Sequence, residues 1–225
     1  WRNDPREWSG DIREYPIKNA DDAAALKVAD VDANPVFQRE INIARNVCGH
    51  YKGEVPVLAT IFTPLTWLQE MTSSTNPAPV LKMLAEEPGK VHKALHTLLE
   101  TNLRFLDRLM DAGIDGIFLA TQWAVRSLLT KAQMDEFCHP YDKALLNHIK
   151  DRTWFNMLHV HYCEDLAFEE FADYEGLQAL NWENCTKIPD MSRLTSIREV
   201  RNMYPDKVLI GGIDQHNDFA NADND

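Results

Sequence analysis

His159, His161, Cys163, Glu164 and Asp165 gather two imidazoles, a thiol and two carboxylates in one short stretch. Neutral imidazole and thiolate are ligands that zinc takes, and an imidazole also moves protons near neutral pH. Three further groups share one property with this stretch, since each stands directly behind an apolar run. Thr121, Gln122 and Trp123 follow the first such run, and Arg126 just beyond them offers a guanidinium suited to gripping a carboxylate. Asn181, Trp182 and Glu183 follow the second, where Glu183 is a candidate general acid or base, or a partner that orients a histidine. Asp214, Gln215 and His216 follow the third. Glu70 adds a carboxylate on a helix, beside Trp67, which is expected to pack. The competing reading of every group is a polar turn that binds nothing. His159 and His161 are expected to face inward together only if the strand breaks between them. Two histidines are also an incomplete zinc site, because zinc takes at least three protein ligands. Cys163, Glu164, Cys185 or His216 would have to complete it. His92 and His96 have helical spacing for a metal, but their helix reads as an outer element with a solvated face.

The elements that must hold these groups alternate along the chain. A short helix is expected near Asp21 to Val28 and another over "NPVFQREINIARNVCGHY". "EVPVLATIF" reads as a buried strand of parallel type, followed by a turn into a helix with Pro64 near its start. Pro88 to Ala112 carries Val91, Leu95, Leu98, Leu99, Leu106, Leu109 and Met110 at helical spacing, and Gly113 suits the stop. "IDGIFLA" is a second strand. Thr130 and Gln133 have capping-box spacing, and Pro140 is expected to divide the helix they open. "WFNMLHV" is the third strand, a helix is expected around Asp165 to Ala172, and "LQALNW" is the fourth. Met191, Leu194, Ile197 and Val200 mark a last helix before "KVLIGGI", the fifth strand. Strict alternation of this kind means a parallel sheet with right-handed crossovers. An open doubly wound sheet and a barrel both fit, and no Gly-rich phosphate loop follows any strand to favour the dinucleotide-binding version. In a parallel barrel the catalytic groups stand at the carboxyl ends of the strands, where these polar groups fall.

Composition narrows the partners. The 225 residues are 44% hydrophobic and 26% charged, enough for one sizeable core. The formal net charge of −12 argues against nucleic acid, which requires lysine and arginine stripes. No apolar run approaches the ~20 residues that span a bilayer. The four cysteines, Cys48, Cys138, Cys163 and Cys185, form no framework and read as the reduced thiols of a cytoplasmic protein.

The strand ends in their order resemble the uroporphyrinogen decarboxylase family. The segments that carry the resemblance are "VPVLATIFTPLTWLQEM", "AGIDGIFLATQWAVRSLLTKAQMDEFCHPYDKALL", "LHVHYCEDLAFEEFADY" and "KVLIGGIDQHND", from about Trp1 to Asp218 overall. The resemblance implies a (β/α)8 barrel, incomplete in this chain: a single domain over 1–225, irregular and helical to about 50, with β/α units from 51 onward. The chain is expected to be a fragment of a longer one. The family holds porphyrinogen decarboxylases and zinc-dependent methyltransferases that use corrinoid proteins or thiols. In the methyltransferase branch a His-x-Cys pair binds the metal. Counting back from Ala172 and Asp173 sets His159 and His161 in that register, with Cys163 just beyond. The branch's third ligand, a cysteine near the end of the full barrel, has no counterpart here. In the decarboxylase branch, a tyrosine stands where this chain has Glu70 and a serine where it has Thr121, and the change at Glu70 counts against that branch.

By this resemblance the metal ligands are His159, His161 and Cys163. From their places at and after the strand ends, Glu70, Thr121, Gln122 and Glu183 are expected to be catalytic, and Trp123, Arg126, Asn181, Trp182, Asp214 and His216 are expected to bind substrate. The cofactors implied are zinc and a corrinoid methyl donor, or none for a decarboxylase. The partners implied are a small-molecule substrate, a corrinoid protein and a second copy of the chain. Methyl transfer from a corrinoid to a thiol is the favoured activity. Decarboxylation of tetrapyrrole acetate side chains is the alternative, and tetrapyrrole or corrinoid binding without catalysis the third reading.

Overall fold

The computed structural model describes residues 14–161, 165–182 and 196–211. Among them five strands form one sheet: β1 (Leu58–Phe62), β2 (Gly116–Thr121), β3 (Met157–Val160), β4 (Ala179–Trp182) and β5 (Val208–Gly211). Their order in space repeats their order in sequence, and every pairing is parallel. A doubly wound sheet reverses its strand order at a switch point, whereas a barrel wall sets each strand beside the last. The chain is therefore α/β with the winding of a (β/α)8 barrel, and the described residues supply five strands of its wall.

The helices are α1 (Ala20–Ala24), α2 (Pro35–Tyr51), α3 (Pro64–Thr72), α4 (Ala78–Glu86), α5 (Pro88–Asp111), α6 (Lys131–Phe137), α7 (His139–Ile149) and α8 (Ile197–Met203). α5 is the main strut. Its stripe of Val91, Ala94, Leu95, Leu98, Leu106 and Leu109 is buried, and the helix packs against α1, α3 and α7. Each of the valine and leucine side chains contributes about 1.5–3 kcal/mol by leaving water. Gly113 follows α5 with φ +98°, a backbone shape that costs glycine nothing, and its N–H bonds Met110 O at 3.0 Å. The Thr130–Gln133 capping box opens α6 as its spacing predicts. The helix breaks at Cys138, and Pro140 lies in the first turn of α7.

Three elements differ from the sequence reading. α4 has no counterpart in it, although Val80, Met83 and Leu84 are buried at helical spacing. The helix expected around Asp165 to Ala172 is only a 3-10 turn at Phe168–Phe171. Its would-be first turn has other commitments: Asp165 has φ +50°, Leu166 bridges Val125, and the Ala167 N–H bonds Ala124 O at 2.9 Å. The last helix begins later than expected, at Ile197, under a capping box of Ser196 and Glu199. Met191 and Leu194 lie outside the described residues.

The sheet has two unlike faces. Ile61, Ile117, Leu119, Leu158, Val160, Leu180 and Trp182 point to the helices and are buried. The alternate positions include Phe62, Phe118, His159, Asn181, Val208 and Ile210, none of them buried, although Ala120, Met157 and Ala179 on the same face are. Phe62, Val208 and Ile210 are 39%, 48% and 42% exposed. This open face is the one that turns toward a barrel's interior. Gly116 permits tight packing at the opposite end of the wall, where a Cβ would stand 1.9 Å from Phe155 O.

Candidate active site

His159 occupies the third position of β3 on the open face, beside Ala120 of β2 and Asn181 of β4. Its ring lies over Phe118, with centroids 4.8 Å and planes 25° apart. Nδ1 is 2.5 Å from Asn181 Oδ1. The Asn181 amide in turn donates from Nδ2 to Ile210 O of β5 at 2.5 Å. On its other side His159 Nε2 is 3.2 Å from Nδ1 of His161. The His161 N–H donates to Thr121 O at 2.9 Å and so extends the ladder one residue past β3. The two histidines therefore face the same way with no break between them. Residues two apart on an extended chain share a face, which corrects the expectation that only a broken strand could bring both inward.

Two ring nitrogens at this separation suit a tetrahedral metal. With Zn–N bonds of about 2.0–2.1 Å, two ligands of a tetrahedral site stand roughly 3.3 Å apart. A hydrogen bond from the second ring nitrogen to a fixed acceptor is the usual support of a metal-binding histidine, and Asn181 supplies it. The donor pair thus fits zinc as two of the three or four ligands it requires. Cys163, Glu164 and Cys185, the candidates for completing it, lie outside the described residues, as do Glu183, Asp214, Gln215 and His216.

The turns after β1 and β2 are tied together by buried hydroxyls. Thr63 Oγ1 donates to Thr66 Oγ1 at 2.8 Å, and Thr66 Oγ1 accepts the Gln122 N–H at 3.0 Å. The Gln122 side chain donates to Glu70 Oε1 at 2.8 Å. Glu70 and Gln122 are thus brought together, and the buried Gln122 Oε1 has no hydrogen-bond partner among the described residues. Such an acceptor costs about 1–3 kcal/mol unless something donates to it.

Other expected site residues are placed elsewhere. Thr121 points to the helix side and its Oγ1 accepts the Trp123 N–H at 3.3 Å, so its hydroxyl shapes the turn. Trp123 and Trp182 are fully buried in the core rather than set beside the histidines. Trp182 has the register of Val160, one residue off the open face, and packs edge-on to Phe168 at 5.2 Å. Arg126 does grip carboxylates, but they are the chain's own. Its Nε and Nη2 reach Glu169 at 2.8 and 2.6 Å, and its Nη1 reaches Asp165 at 3.0 Å. Bonding to Glu169 and then Asp165 raises its pKa, and the pair fastens the turn after β2 to the turn after β3. Of the residues expected to bind substrate, Asn181 alone among those described adjoins the histidine pair.

Sequence reasoning missed Phe118, whose place beneath His159 depends on strand register. It also missed a polar chain on the helix side: His139 Nδ1 to Tyr174 OH at 2.8 Å, and Tyr174 OH to Asp142 Oδ2 at 3.2 Å. His139 also groups with Asp135 and Glu170 closely enough to suggest a metal. However, the Lys131 ammonium already bonds both acids, at 3.0 and 3.3 Å. His92 is likewise a packing residue, held between Tyr141 OH at 2.7 Å and Glu136 Oε1 at 3.2 Å.

The comparisons with known proteins agree with the strand-end pattern. The family model described as uroporphyrinogen decarboxylase (URO-D) matches residues 8–219. A uroporphyrinogen decarboxylase of Corynebacterium diphtheriae is 25% identical over 142 residues, which cover 63% of this chain and 40% of that protein. One from Mycobacterium tuberculosis is 30% identical over 119 residues, 51% of this chain and 32% of that one. A methyltransferase from Methanosarcina mazei shares the fold with a TM-score of 0.68 at 14% identity, over 88% of this chain and 54% of its own. The chain thus spans about half or less of the length of each.

Proposed function

Since this chain belongs to the uroporphyrinogen decarboxylase family, we propose that it is a barrel enzyme of the family's metal-assisted methyl-transfer branch, moving a methyl group from a corrinoid to a thiol. The observation that carries this reading is the histidine pair, with its nitrogens 3.2 Å apart on the open face and Asn181 behind one ring. His159 and His161 would hold the zinc. When bound, zinc favours the ionised form of a coordinating thiol, the form that attacks carbon. The chain's own residues then have distinct tasks. Asn181 and Phe118 fix the plane and the position of the His159 ring. Phe62, Val208 and Ile210 offer apolar surface on the same face, suited to the flat edge of a corrin and to excluding water from the reacting thiol. The Glu70–Gln122 pair and the Arg126 clamp hold the neighbouring turns at their places on the rim.

A second reading is supported by the sequence relatives, which are decarboxylases. Removal of acetate carboxyls from a tetrapyrrole needs no metal. It needs groups that hold the carboxylates and an acid that protonates the ring carbon. Glu70, standing where that branch has tyrosine, weighs against it.

The two readings separate in one paired assay. Methylcobalamin with a small thiol, with and without added zinc, is expected to give zinc-dependent thioether. Uroporphyrinogen offered in parallel is expected to remain intact. Decarboxylation without metal, and no methyl transfer with it, would reverse the assignment.

A further inference from the structure

We propose that Asn181 is the positioning residue of the histidine pair: through a hydrogen-bonded line across β5, β4 and β3 it fixes His159 in the Nδ1–H tautomer, with the Nε2 lone pair turned toward His161. The line starts at a group that can only accept. Ile210 O on β5 is a carbonyl, so the Asn181 atom beside it must be the NH2 group. That settles the amide orientation, and Oδ1 therefore faces His159. An amide oxygen can only accept, so His159 Nδ1, 2.5 Å away, must carry a proton. In the neutral ring the second nitrogen is then an acceptor. His161 Nδ1, 3.2 Å away, is its donor in the metal-free chain.

The arrangement is built into the fold rather than chosen by one side chain. Asn181 is paired in register with both His159 and Ile210, so neighbouring strands set all three groups at one level of the wall. Phe118 beneath the ring keeps it in the plane that this line requires. A flipped His159 would set an aromatic C–H against Oδ1 and lose the Nδ1–H bond. The value of the device is that His159 Nε2 binds a metal or accepts a proton without a prior change of tautomer in its own ring, leaving only His161 Nδ1 to give up its proton. For its metal aspect the inference rests on the function proposed above; for its tautomer aspect it does not.

The test uses the full polypeptide with 15N-labelled histidine, free of zinc and at alkaline pH where the rings are neutral. Long-range 1H–15N correlation is expected to give His159 a protonated Nδ1 and a bare Nε2. Asn181→Leu is expected to release the ring into a tautomer mixture and to weaken zinc binding about 10–100-fold. Asn181→Asp loses the donor to Ile210 O but offers His159 Nδ1–H a charged and stronger acceptor, and is expected to retain the Nδ1–H form. A wild-type His159 protonated at Nε2, or a tautomer unchanged in Asn181→Leu, would overturn the proposal. Should Asn181→Leu fail to fold, the wild-type spectrum and Asn181→Asp still decide. A wild-type chain with the expected tautomer but no affinity for zinc would support the role of Asn181 while removing the metal-assisted function.

Discussion

Burial pushes the Asp142 carboxyl up from its ordinary value of 3.8 to about 8, against the lowering effect of a bond from Tyr174. Tyr174 and Cys138 are also pushed up by burial, so both stay neutral near neutral pH and neither offers the carboxylate a cation. In the unfolded chain Asp142 ionises near 4; in the folded chain it keeps its proton to about 8. Between those values the unfolded state binds fewer protons, so stability falls as pH rises. The stabilising contribution is complete below about pH 4 and is lost as pH rises through about 8, with a slope of up to about 1.4 kcal/mol per pH unit. Asp142→Asn keeps an acceptor for Tyr174 and is expected to flatten urea-measured stability between pH 5 and 8. An unchanged slope in that variant would mean that Asp142 is ionised in the folded chain. The sequence hid this residue because its partner Tyr174 is distant along the chain and the carboxylate looks like any solvated helix position. It displayed His159 and His161 openly, because residue type alone marked them.

At the scale of elements, the local signals are the ones that proved legible. The capping box at Thr130 rests on four consecutive residues, and both of its reciprocal bonds are present. Thr130→Ala is expected to cost about 0.5–2 kcal/mol, read as a shift in the urea midpoint without a change in slope. The stripe of α5 was equally plain. Leu95 is fully buried at its centre, and Leu95→Ala is expected to cost about 2–5 kcal/mol. A loss under about 1 kcal/mol in calorimetry would mean that α5 is not the strut described. α4 was obscured by Pro77 and Pro79, which fall at its N-terminus and read as loop. The 3-10 turn at Phe168–Phe171 was misjudged for a tertiary reason. Its preceding backbone groups are spent on the turn after β2, a pairing that no local pattern displays.

For the whole molecule, strand order is what gives the polar groups a common place. Parallel strands added one beside another bring the carboxyl ends of β1 to β5 to one rim. The sequence conveyed this through its alternation of elements, while the choice between open sheet and barrel needed the pairing order itself. Which residues of each strand end look inward was not legible, because one residue of register moves a side chain to the other face. Trp182 and Asn181 are the instructive pair: neighbours in sequence, one is core and the other stands beside His159. Among the described residues no helix is long and apolar enough to cross a membrane. The most direct test is the metal content of the purified, untagged polypeptide after incubation with zinc and removal of the excess, with His159→Ala and His161→Ala beside it. About one zinc per chain, lost in both variants while their far-ultraviolet spectra stay native, is the predicted result. A wild-type chain that retains no zinc, or variants that retain as much as wild type, would contradict the metal site at its centre.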